Sequence, residues 1–149
     1  GILCKLKNGQ QTLKNFQNNM AQKKQIPTVI TTSKLIIEKE ELKKQINDRI
    51  VKGQVLLNYS VKVVSTKIDS RGEHYSIYDE IEKQGFISEY NKWKQFNIEL
   101  LKRSFDFADN EYLKEYEKAE YSVWSDWVKE RKQDIIRQIT VFESIIERC

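Results

Sequence analysis

The sequence predicts an all-α fold, a bundle of four to five helices with a long C-terminal helix behind a polar N-terminal arm. Three observations carry that prediction. Residues 123–149 contain no Gly or Pro, and Ile135, Ile139, Phe142, Ile146 and Cys149 recur at steps of four, three, four and three, which is the period of one helix face. The whole chain of 149 residues has one Pro and five Gly, too few for a sandwich that turns every ~8–12 residues. Apolar seams at helical spacing also recur upstream, joined by short polar stretches.

The opening segment is rich in Asn, Gln and Lys. Residues 1–37 hold six lysines (Lys5, Lys7, Lys14, Lys23, Lys24 and Lys34) and no acid, so of a net charge of +4 the remainder contributes −2. The basicity therefore belongs to an arm, residues 1–32, and not to the body at 33–149. Leu6, Leu13, Phe16 and Met20 have helical spacing, so the arm reads equally as a short amphipathic helix or a frayed tail. Its Lys5, Lys7, Lys14, Lys23 and Lys24 are candidate phosphate contacts, which would be salt-sensitive and indifferent to sequence. A solvated tail is the plainer reading.

Residues 34–59 predict the first strong helix. Thr31, Thr32 and Ser33 offer N-caps, and Leu35, Leu42, Ile46, Ile50 and Leu57 form its seam. Gly53 interrupts it, at a cost of ~1 kcal/mol relative to Ala, and suggests a bend or close packing. Residues 61–68 alternate like a strand but show no partner, and a lone strand is unstable, so an ordered loop is expected there. Residues 69–73 form a turn by composition. Ser76 with Asp79 resembles a capping box opening a short helix to Gln84, stopped by Gly85. Ser88 then caps a helix to about residue 105, lined by Tyr90, Trp93, Leu100, Leu101 and Phe105. Asp109 caps another over 111–120, with Tyr112 and Tyr116 one turn apart. The last helix is expected to act as a spine, and its uninterrupted seam suggests continuation into a larger protein.

Catalytic motifs are missing. There is no Gly-rich phosphate loop, no H-E-x-x-H, no C-x-x-C and no nucleophile elbow. His74, the single histidine, sits in a polar turn without a second acid–base group. Asp106, Asp109 and Glu111 lack the spacing of a calcium loop, and capping explains them. No catalytic, cofactor-binding or metal-ligating residue is assigned, and the chain is expected not to be an enzyme. The aromatics recur at i,i+3 and i,i+4, which fits core packing first and a partner surface second. Trp124, Trp127, Ile139, Phe142 and Ile146 are the candidate interaction surface. Cys4 and Cys149 stand at opposite ends, which favours two reduced thiols and a cytoplasmic setting. No run approaches the roughly 20 apolar residues of a membrane span.

The run Leu42, Ile46, Ile50, Gly53, Leu56 and Leu57, followed by Trp93, Leu100, Leu101, Phe105 and the pair Tyr112 and Tyr116, resembles the helical region ahead of TIR-like nucleotide-binding domains in bacterial anti-phage effector proteins. The resemblance covers roughly residues 33–149 and departs from it in the long polar opening. It implies a scaffold or regulatory role, a homo-oligomer or protein partner, and an attached C-terminal domain that carries the chemistry. No functional residue carries over from it. The expected function is a non-catalytic accessory or interaction module. The alternative is a nucleic-acid adaptor working through the lysine arm.

Overall fold

A computed structural model describes residues 33–121 and 127–149. The described chain runs α1 (Lys39–Leu57), β1 (Val63–Ile68), β2 (His74–Tyr78), α2 (Glu80–Ser104), α3 (Glu111–Lys118) and α4 (Trp127–Arg148). The architecture is thus mostly helical with a long C-terminal helix. The expectation of a wholly α chain is corrected by one antiparallel hairpin.

Helix α1 begins at Lys39, inside the expected start at Lys34. Leu35 forms an isolated bridge with Phe105. Ile36 N–H donates to the Ser104 carbonyl at 2.9 Å, and Asp106 N–H donates to the Lys34 carbonyl at 2.9 Å. The segment before α1 is therefore clamped in extended form to the end of α2, and Asp106 Oδ1 accepts from Lys34 N–H at 2.7 Å. Beyond this clamp Leu42 and Ile46 are wholly buried, as their spacing predicts. Each such side chain contributes about 1.5–3 kcal/mol on leaving water.

The hairpin pairs Thr66 with Ser76 and Ile68 with His74, with an irregularity between Val63 and Ser65. Its tip is the turn that composition predicts. Asp69 Oδ1 accepts from Arg71 N–H at 2.8 Å and Glu73 N–H at 3.0 Å, and Gly72 takes φ 83°, a region that glycine enters without a Cβ penalty. Those amides, Glu73 first, hold the Asp69 carboxyl below its ordinary pKa. Residues 74–78, expected in part as a helix start, are strand. The true cap is Asp79, whose Oδ2 accepts from Glu82 N–H at 3.0 Å.

From there α2 runs unbroken for 25 residues, through both Gly85 and Ser88. Gly85 does not stop it because Phe86, Tyr90 and Trp93 continue the buried face, and burial outweighs one glycine's ~1 kcal/mol penalty. Helix α3 is capped by Asn110, not Asp109. Asn110 Oδ1 accepts from Leu113 N–H at 2.9 Å while its amide donates to the Leu101 carbonyl at 2.9 Å.

Two apolar clusters result. One joins Leu42, Ile46, Leu101, Tyr112, Tyr116 and Phe142, and the other joins Leu56, Phe86, Tyr90, Trp93, Ile135 and Ile139. Ile50 packs on both. Polar side chains lie within this interior: Asn97 Nδ2 donates to Tyr116 Oη at 2.7 Å and Gln138 Nε2 to Tyr90 Oη at 3.2 Å. Cys149 is disulfide-bonded, which corrects the expectation of reduced thiols. Among the described residues no helix is long and apolar enough to cross a membrane.

Candidate interaction surface

The base of the hairpin is fixed to the start of α2. Asp79 N–H donates to the Lys62 carbonyl at 2.7 Å, Lys62 N–H donates to Glu82 Oε2 at 2.6 Å, and the Tyr59 ring lies 5.6 Å from that of Phe86. On the α4 side, Lys132 Nζ donates to the Tyr59 carbonyl at 2.7 Å and lies 5.9 Å from the Phe86 ring centre. Anchored at this end, the hairpin stands beside α4 with an open space between them.

An open cleft of about 510 Å³ remains between them, lined by Val61, Thr66, Tyr78, Val128, Lys132 and Ile136 among others. The register places Thr66 opposite Ser76, and both line the cleft, as does His74. Every residue of β1 is exposed, with Ile68 61% and Ile136 52% accessible. Among the described residues the lining contains Lys129 and Lys132 and no carboxylate. Chemically this is a mixed trough, apolar at Val61, Val128 and Ile136, hydroxyl-lined along Thr66 and Ser76, and cationic on the α4 side. Sequence reasoning missed it because both strands were needed to build it, and residues 61–68 were expected as a loop. The imidazole of His74, expected in a surface turn, is exposed but belongs to this lining.

The candidate surface read from the sequence fares differently. Phe142 is fully buried, its ring 5.2 Å from that of Tyr116. Ile139 is buried beside Trp93 in the other cluster, and Ile146 packs partly buried on the first. Trp127 is half-buried under the Arg131 guanidinium, 4.2 Å from its ring centre. Ile139 and Phe142 are therefore packed inside the domain, against residues of α1, α2 and α3, while Trp127 and Ile146 stay half-buried. Trp124 and the candidate phosphate contacts Lys5, Lys7, Lys14, Lys23 and Lys24 lie outside the described residues.

A polar cluster sits where α2, α3 and α4 meet. Tyr90 donates a short hydrogen bond to Glu120, which also pairs with Lys94 at 3.2 Å and Arg131 at 3.6 Å. Asp134, fully buried, pairs with Arg131 at 3.0 Å and Arg137 at 2.8 Å and accepts from Tyr121 N–H at 2.9 Å. Burial alone would raise the pKa of Glu120, but the Tyr90 and Lys94 hydrogen bonds and the nearby cations bring it below the ordinary value. Burial pushes the Tyr90 hydroxyl far up, and the Glu120 charge adds to this. Each charge here has a partner of opposite sign, so the cluster reads as a strut that fixes three helices.

No family model, curated protein or solved structure matches this chain. Among the described residues no group of three or more His, Cys, Asp or Glu is placed to hold a metal ion.

Proposed function

We propose that this chain is a non-catalytic interaction module, of the accessory kind that its sequence resemblance implies, and that the cleft between the hairpin and α4 receives a segment of a partner protein. The observation that supports this is the lining. Val61, Val128 and Ile136 supply apolar walls beside Lys132, and among the described residues no carboxylate lines the cleft. A complementary segment carries apolar residues to fill the trough and an Asp or Glu beside Lys132, whose ammonium is held at the cleft by the Tyr59 carbonyl, since matched charge sets register and partner choice. The exposed strand β1 and the half-buried strand β2 offer main-chain groups beside such a segment. The helical body holds the hairpin base and α4 at fixed separation, so the groove is formed before binding, which lowers the ordering cost.

Selection of displayed peptides on the intact chain tests this. Ile136→Glu serves as counter-selection, because Ile136 is 52% exposed and an exposed site tolerates the change. Enrichment of sequences mixing apolar and acidic residues, lost on the variant, supports the reading. Enrichment unaffected by Ile136→Glu, or none at all, removes it.

A further inference from the structure

A second groove, sharing no lining residue with this cleft, runs between α1 and α2 with an exposed aromatic at its centre. Phe96 is 64% accessible although it stands mid-helix among buried neighbours. The Arg49 guanidinium lies 5.3 Å from its ring centre. Hollows of about 440 Å³ and 330 Å³ lie along the groove, the first reaching Lys44 and Arg103, the second Lys52 and Lys92, and both touching Arg49 and Phe96. From Lys44 to Lys52 the helix rises about 12 Å, so cations flank the ring on both sides.

The charge is unbalanced in one direction. Lys52 pairs with Asp48 at 3.2 Å and Lys92 with Glu89 at 3.5 Å. Among the described residues Lys44, Arg49 and Arg103 make no salt bridge, and Arg103 donates only to Gln45 at 3.0 Å. Arg49 is tied through its backbone, since Trp93 Nε1 donates to its carbonyl at 2.8 Å. Its Nε is buried without a hydrogen-bond partner, an orphaned donor that a bound acceptor would satisfy.

We propose that this groove binds single-stranded nucleic acid, with one base stacked on Phe96 and phosphates on either side held by Arg49 with Lys44 and Arg103 at one end and Lys52 at the other. An acidic peptide would satisfy the cations but leave unstacked the part of the Phe96 ring that the Arg49 guanidinium does not cover. A base attached to phosphates satisfies both, and recognition is indifferent to sequence because every base has a stacking face.

Fluorescence anisotropy of a labelled thymidine oligomer of about twelve nucleotides with the full chain is the test, run between roughly 50 and 200 mM salt. Binding that weakens steeply with salt is expected. Phe96→Ala should weaken it roughly 5- to 100-fold, while Phe96→Trp retains it. Lys44→Gln with Arg103→Gln should flatten the salt slope by about 0.7 for each phosphate left without its cation. Circular dichroism of these surface variants should match the parent, so that weaker binding is not a failure to fold. Binding untouched by Phe96→Ala overturns the proposal, as does equal competition by polyglutamate. A mononucleotide that binds as tightly as the oligomer overturns the strand and leaves a nucleotide pocket in its place.

Discussion

Gly53 of α1 and Trp93 of α2 meet so closely that a methyl group at position 53 would stand 2.7 Å from the indole Cζ2, and 3.0 Å from Ile139 Cδ1 on α4. Three helices thus converge on a residue whose side chain is a single hydrogen atom. The indole is not free to retreat, because its Nε1 donates to the Arg49 carbonyl one turn away.

Gly53→Ala is therefore expected to destabilise the fold by about 1–3 kcal/mol, overriding the ~1 kcal/mol that alanine gains in a helix. Gly85→Ala is the matched control. There the added Cβ meets only the Tyr59 side chain, its hydroxyl at 2.5 Å, the far end of a residue on a loop. It should cost at least about 1 kcal/mol less than Gly53→Ala. Urea midpoints at constant slope measure both; equal midpoints would show that the Trp93 packing yields.

Glu120 couples the polar cluster to pH. Its folded pKa lies below the ordinary value of 4.5. The stability it contributes is thus present above that value and is lost as pH falls through the lower, folded one. Glu120→Gln should reduce stability at neutral pH and flatten the acid limb of the stability profile. Tyr90→Phe, which deprives both Glu120 and Gln138 of a partner, should cost about 1–3 kcal/mol. Urea titrations from neutral pH to below the ordinary carboxylate range read both effects, and an unchanged acid limb in Glu120→Gln would contradict the assignment.

The end of α4 is held to α3 by a two-pronged pair. Arg148 Nη1 and Nη2 reach Glu115 Oε1 and Oε2 at 2.9 and 2.6 Å, and the guanidinium lies 5.3 Å from the Tyr112 ring centre. Arg148→Lys keeps the charge but not the fork or the stacking plane, so a loss of about 1 kcal/mol is expected. Hydrogen exchange should show faster opening of the last turn of α4. Unchanged protection there would mean that the pair contributes nothing.

Periodic apolar spacing was the legible part of this chain. It correctly located the helices over Leu42 and Ile46, over Trp93 and Leu101, and over Ile135 and Phe142, because a helix face is a local property of sequence. Long-range pairing was not legible. Leu35 has helical spacing with Leu42, yet it bridges Phe105 and stays outside α1. Residues 61–68 were expected as an ordered loop and not as the strand Val63–Ile68, because the partner at His74–Tyr78 was hidden by the resemblance of Ser76 and Asp79 to a capping box. The real cap lies three residues on, from Asp79 to Glu82. The same limit applies to the seam of α4: an apolar seam announces burial but does not say against what, and Phe142 and Ile139 are buried by this chain's own helices. The groove around Phe96 left one trace in the sequence, an aromatic one helical turn after Lys92.

The measurement that bears most directly on the proposed role is an amide chemical-shift titration of the full chain with a peptide of mixed apolar and acidic residues taken from the display selection. Saturable shifts centred on Thr66, Ser76, Lys132 and Ile136, absent in Ile136→Glu, are the expected result. Shifts confined to the α1–α2 groove or scattered over the surface, or no saturable response, would contradict the assignment of the cleft as the site that receives a partner.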